Sequence, residues 1–420
     1  MSEWKEYKLG DIALINMGQS PNSTTYSNIK IGLPFFQGNR TFGRLYPSID
    51  TYCTSPIKTA ELNDILFSVR APVGDINYSP EKVCIGRGLC SIRMKSGNQV
   101  FLFYLLHYLK NEIINKESGT VFGSVNKAIL ENLIVKIPEL PTQKAIAEIL
   151  SSLDDKIELN NKINQELEDL AQTLFKRWFI DFEFPNENGD PYKSSGGEMV
   201  DSELGEIPKG WEVVKVSSLE YKLQTGSRPK GGVGGITSGL PSVGAESVKG
   251  LGYYDFSKVK FISKEFADKM KRGKVHGYEL LIYKDGGKPG TFIPHFTMFG
   301  EGFPFDDFYI NEHVFLLDFL NREFNCFCYF YFDSQYVIPI FENNGGKAAI
   351  PGINQEDVKQ LCVFSPKNTL VKRFGEVAKS SIQTILQNCK ENIQLTTLRD
   401  TLLPKLISGE LEVSQIKNLP

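Results

Sequence analysis

The chain has 420 residues and a formal net charge of −3, from 47 Lys and Arg against 50 Asp and Glu. Hydrophobic residues at 41% and aromatics at 12% are enough for more than one packed core and exclude wholesale disorder. The mild acidity, concentrated in residues 141–210, excludes a general electrostatic affinity for nucleic acid and leaves only local patches for such a role. The first residues, MSEWKEYKLGDI, lack the apolar core of a signal peptide, and no run approaches the roughly 18 apolar residues of a membrane span. Seven cysteines without a CxxC pair read as reduced thiols of a cytoplasmic protein.

Residues 1–140 form a first globule. The short apolar runs at 64–69 (DILFSV) and 82–85 (KVCI) lie between Gly, Pro and Asn turns and predict short strands. Phe101 to Lys110 has the apolar density of a buried helix. Gln37, Asn39, Arg40 and Arg44 stand in a Gly-punctuated loop, Arg70 directly after a predicted strand, and Arg87 between Gly86 and Gly88.

Residues 141–185 predict a long helix, free of Gly and Pro from Thr142 to about Ile180. Its heptad seam is Ile146, Leu150, Leu153, Ile157, Asn160, Asn164, Leu167, Ala171, Leu174 and Trp178, mostly apolar, as a coiled-coil strand requires. At 1.5 Å per residue the helix would be roughly 58 Å long. The polar, Gly-rich stretch at 186–210 reads as a flexible linker.

A second globule follows at 211–366, and it echoes the first. Gly18 and Pro21 return as Gly226 and Pro229, Leu33-Pro34 as Leu240-Pro241, and Asp64 as Glu279. Arg228, Lys230, Glu246, Lys284, Lys288 and Lys347 are charges on its loops and strand ends. A second long helix spans 367–411 and repeats the first without a gap, 228 positions later. Asn126 returns as Asn354, Leu133 as Leu361, Asn160 as Asn388, Asn164 as Asn392 and Leu174 as Leu402. Pro404 should end or kink this helix, and residues 412–420 form a tail.

The paired asparagines carry information, because a polar residue in a seam fixes register by needing a polar partner. Antiparallel pairing sets Asn160 opposite Asn392, Asn164 opposite Asn388, Leu150 opposite Leu402, and Trp178 opposite Phe374. Leu153 opposite Arg399 is the weak point. This arrangement predicts an α+β fold: two similar α+β domains joined by two long helices in an antiparallel coiled coil, related by a pseudo-twofold repeat.

No catalytic motif accompanies this scaffold. Gly287-Lys288 is followed by Pro289, so no phosphate-binding loop forms. His107, His276, His295 and His313 are scattered without metal-ligand spacing. Neither an amino-methyltransferase motif nor a nuclease carboxylate–lysine set is present. The chain reads as a binder that needs no cofactor or metal of its own.

Five segments carry a resemblance: residues 137–147 (IPELPTQKAIA), 153–160 (LDDKIELN), 174–182 (LFKRWFIDF), 205–211 (GEIPKGW) and 398–411 (LRDTLLPKLISGEL). Together they resemble the specificity subunits of type I restriction–modification systems over essentially the whole chain. At the second junction, SPKNTL at 365–370 departs from the usual proline–glutamine motif. The resemblance implies two target-recognition domains, each reading half of a split, asymmetric sequence in double-stranded DNA, with the helices as the ruler between them. Base edges are read by Arg, Lys, Asn, Gln, Asp and Glu, and phosphates by Lys, Arg and backbone N–H groups. On that criterion Gln37, Asn39, Arg40, Arg44, Arg70 and Arg87 are the candidate DNA contacts of the first domain, and Arg228, Lys230, Glu246, Lys284, Lys288 and Lys347 those of the second. The resemblance also implies two methyltransferase (modification) subunits and motor/nuclease (restriction) subunits as partners, which would carry S-adenosylmethionine and ATP. The competing readings are a non-catalytic two-headed scaffold for carbohydrate or peptide, and a standalone nuclease.

Overall fold

The computed structural model describes residues 4–116, 123–347 and 350–416; of the tail expected at 412–420, residues 417 onward lie outside them. The chain divides into two compact units. One comprises the residues up to Ile157 together with those from Gln394 on, and the other is Glu158–Ile393.

In the first unit a four-stranded antiparallel sheet runs Ala13–Met17, Leu89–Met94, Ile65–Ser68, Ile76–Tyr78. The strands are short because Gly, Pro and Asn punctuate them, and the expected runs at 64–69 and 82–85 supply two of the unit's strands. A second, five-stranded sheet contains the parallel pair Leu33–Phe36 and Val83–Ile85. The buried helix is longer than its apolar run, Gln99–Asn115, with the Asn98 side chain capping its first turn. Phe101, Leu102, Phe103, Leu105, Leu106 and Ile113 are buried with Leu9, Ile65, Ile92, Ile146, Leu150, Leu406 and Ile407 in one core. Burying each of the larger side chains contributes about 1.5–3 kcal/mol.

The second unit repeats the order: Lys222–Thr225, Val314–Asp318, Leu280–Tyr283, Phe296–Met298. It also repeats the parallel pair, here Leu240–Val243 with Tyr309–Ile310. Its helix Arg322–Phe332, capped by Asn321, carries Phe324, Phe327 and Phe330 into a core rich in aromatic rings.

The first long helix is Leu140–Phe175, 36 residues, continued by a five-residue π turn at Lys176–Ile180. The second is Thr369–Ser408, 40 residues. Three expectations need correction here. Of the two outcomes expected at Pro404, an end is ruled out: the second helix runs four residues further and stops where Gly409 takes φ +79°. Leu406 and Ile407 sit in the first unit's core, and their burial offsets the roughly 3 kcal/mol that an interior proline costs.

Trp178 is also not the ring partner of Phe374. Phe175 and Phe179 take that place, each 5.5 Å away between ring centres, while Arg373 lies over Trp178 at 5.7 Å. The π turn rotates the face presented after Phe175, so the heptad count slips there. Finally, the 186–210 stretch is not a featureless flexible connector. Met199–Ser202 pairs with Gly205–Pro208 as a hairpin. Phe184 stacks between Tyr192 and Trp211 at 4.7 and 5.4 Å. A few well-placed rings anchor a segment whose composition is mostly polar.

Within the second unit the helices meet through the asparagines. Asn160 Nδ2 donates to Asn392 Oδ1 at 2.9 Å and to Glu391 Oε2 at 2.7 Å. Asn388 Nδ2 donates to Asn164 Oδ1 at 2.8 Å. In the first unit, Arg399 resolves the apparent mismatch opposite Leu153. Its Nη1 reaches the neighbouring Asp154 at 2.7 Å, a carboxylate only 2% exposed. Asp154 also accepts from Arg44 at 2.6 Å and from the Tyr104 hydroxyl at 2.6 Å.

Candidate nucleic-acid interface

Each unit has a cleft where the first strand of its four-stranded sheet ends in glycine. At Gly18 a Cβ would stand 2.2 Å from the Gly86 carbonyl oxygen, and at Gly226 it would stand 1.7 Å from that of Ile310. Only glycine lets the chain pass so close to its neighbour, and each loop then opens into a cavity of about 640 Å³.

The first cleft brings Gln37, Arg40 and Arg87 together with Ser20. Ser20 Oγ donates to Gln37 Oε1 at 2.9 Å and accepts from the Arg87 backbone N–H at 3.2 Å. A Cβ at Gly86 would meet the Gln37 side chain at 2.5 Å, and one at Gly88 would meet the Gln37 carbonyl at 2.5 Å. The two glycines therefore let the Gln37 loop close against the strand, with exposed Arg87 between them. Arg40, also exposed, pairs with Asp50 at 2.7 Å. This hydrogen bond holds the Asp50 carboxyl below the usual range. Arg70 is exposed just beyond the Ile65–Ser68 strand, its backbone bridged to Ser124. Asn39 turns inward instead, donating to Asp75 at 2.7 Å, a carboxylate shared with Lys110. Arg44 is committed to Asp154 and lies away from the cleft lining.

The second cleft is lined by Arg228, Lys230 and Lys284, with Arg272 and Glu312. Arg228 Nε pairs with Glu312 Oε1 at 2.8 Å. Lys284 reaches Asp285 at 3.1 Å and donates to the Glu312 carbonyl oxygen at 3.1 Å. His313 Nδ1 lies 2.5 Å from Asp285. Glu246 pairs with Lys260 at 2.5 Å; burial opposes its charge, but Lys260 outweighs that and keeps its pKa below the ordinary value. Lys288 and Lys347 are exposed in turns outside this lining. The sequence reading missed Ser20, Lys260, Arg272, Asp285, Glu312 and His313. The signal for Glu312 and His313 was an offset of 225 on the central strand, which differs from the offsets of the flanking strands and is visible only once the pairing register is known.

The first cleft presents guanidinium and amide groups beside Pro21, Tyr26, Phe35 and Phe36; the second presents guanidinium and ammonium groups with little apolar lining. Such a surface suits polar, charged partners of extended shape better than a small apolar ligand.

Comparison with known proteins gives these groups a context. Residues 1–169 match the family model described as the type I restriction modification DNA specificity domain. A Methanocaldococcus jannaschii chain named as the specificity subunit of the MjaX type I restriction enzyme is 42% identical over 170 residues, which is 40% of either chain. The MjaIX specificity subunit of the same organism is 28% identical over 369 residues, 84% of this chain and 78% of that one. The fold is similar to the crystal structure of the type I S subunit from M. genitalium, with a TM-score of 0.58, 15% identity and 96% of each chain covered.

Proposed function

We infer that this chain, which belongs to the specificity subunits of type I restriction–modification systems, reads a bipartite DNA target, one part in each unit. The observation that carries this reading is the repeated frame with unrepeated rims. Both units place a glycine-gated cleft at the same sheet end, yet the side chains around the two clefts differ. A rigid repeated support with variable polar loops suits the reading of two different base sequences.

The chain contributes recognition and no chemistry of its own. Modification subunits would bring methyl transfer from S-adenosylmethionine to adenine, and motor/nuclease subunits would bring ATP-dependent restriction. In this role Arg40, Arg87, Arg228, Lys230 and Lys284 face the DNA. Arg44 braces the first domain on its helix, and the four seam asparagines set helix register.

The test is a domain replacement in the assembled methyltransferase complex. Residues 211–366 are exchanged for those of another member, and the N6-methyladenine motif is mapped. One half of the motif should change while the other persists. A change in both halves would sink the two-domain reading. Methyl transfer by the purified chain alone would sink the non-catalytic assignment.

A further inference from the structure

The pairing registers align the two clefts residue by residue. Leu89 lies opposite Ser68, and Val314 opposite Tyr283. Cys90 lies opposite Met17, and Phe315 opposite Thr225. Beyond the strand ends the backbone hydrogen bonds continue the match. Val69 N donates to Gly88 O at 3.0 Å, and Lys284 N to His313 O at 3.0 Å. Gly86 N donates to Phe36 O at 2.8 Å, and Asn311 N to Val243 O at 2.9 Å. Arg70 bridges to Ser124, and Asp285 to Gly352. So Arg70 corresponds to Asp285, Arg87 to Glu312, Gly88 to His313, and Ser20 to Arg228.

At the lining pair Arg87/Glu312 and at Arg70/Asp285, just outside the lining, the charge is reversed, and bulk is exchanged alongside. Where the first unit has Gln37 over Gly86 and Gly88, the second has Gly244 beside Glu246 and Asn311. A Cβ on Gly244 would come within 2.7 Å of the Asn311 amide. The frame is kept, and the polarity of what it offers is inverted.

Resting on the two-domain reading, we propose that the rims read opposite base-edge chemistry. Arg70 and Arg87 donate to acceptor edges, of which guanine O6 and N7 fit a guanidinium best. Asp285 accepts from an exocyclic amino group, that of cytosine N4 or adenine N6, while Glu312, whose carboxylate oxygens are both buried, braces the loop through Arg228. Lys284 and His313 hold the Asp285 carboxylate in place and offset the repulsion that a bare acid would meet beside phosphates.

The test uses the complex of this chain with its modification subunits. Arg87→Gln and Asp285→Asn are made singly, checked for unchanged melting temperature, and assayed on a library of methylation targets. Arg87→Gln should relax one position in one half-site, with discrimination falling about tenfold or more. Asp285→Asn should relax one position in the other half-site. Arg87 is exposed, so its variant keeps the test open if the acidic variant fails to fold. An unchanged motif in the folded variants, while exchange of 211–366 still alters it, would overturn this inference alone. A uniform loss of binding across all sequences would assign the rims to phosphate and also overturn it. If domain exchange itself had no effect, the parent reading would fall as well.

Discussion

Asp154 shows how much one buried carboxylate can be asked to do. Burial works against its charge, but the Tyr104 hydroxyl, Arg399 and Arg44 outweigh that and hold its pKa below the ordinary 3.8. A depressed carboxylate stabilises the fold at pH values above its unfolded pKa, and that contribution is lost as pH falls through the folded value. Stability of the first unit should therefore decline from about pH 5 downward, read by thermal melting across the acid range. Asp154→Asn should cost about 3 kcal/mol at pH 7, because Arg44 and Arg399 lose their shared counter-charge in a partly buried setting. Asp50→Asn should cost less than about 1 kcal/mol, since the Arg40 pair is exposed. Equal losses in the two variants would show that the burial of Asp154 does not matter. The repeat does not copy this charge. At the positions 228 away stand Ile382 and Ala171, both buried, so apolar packing replaces the ion pair at the corresponding place.

At the scale of elements, the helix pair and the glycine gates carry the clearest tests. Asn160→Leu should lose about 1–3 kcal/mol by stranding the Asn392 and Glu391 groups it now satisfies. Adding Asn392→Leu should recover part of that loss in chemical denaturation while loosening the register. No recovery would mean that Asn160 and Asn392 do not act as a pair. Gly226→Ala must move backbone, given the 1.7 Å approach to Ile310. Gly231→Ala meets no atom within 4 Å, although its φ of +93° still strains a side chain. Gly226→Ala should therefore be the more destabilising of the two and should impair binding by the second domain, as measured by a gel shift with the complex.

These same elements mark what the sequence made legible. The asparagine partners were readable because helical register is strict and a buried amide needs a polar mate. The cleft glycines were readable as a repeat, though their reason, a neighbouring carbonyl, was not. The Trp178 pairing failed because a π turn leaves no periodic trace. Arg44 was indistinguishable from Arg40 as a loop cation, since its partner Asp154 lies 110 residues away. The second rim stayed hidden because each strand of the repeat carries its own offset.

For the whole molecule, the division into units does not follow the order of the chain. Leu406 and Ile407 are packed with Leu9, Leu102 and Leu150 in the first unit's core. A chain cut after Ile393 should lose slow hydrogen exchange at Leu102 and Leu105 while keeping it at Leu316 and Phe327. Retained protection at Leu102 would show that residues 394–416 are dispensable to that core. The same discontinuity bears on how the protein is made. The second unit is one unbroken stretch, Glu158–Ile393, and all of it must be synthesised before the residues that close the first unit. At about 5–20 residues per second, the earlier-made domain waits on the order of 10–50 s with the seat for Leu406 and Ile407 unfilled. The core of the earlier-made domain thus closes only at the end of synthesis, and the exposed apolar seat is where a chaperone would be needed during that interval.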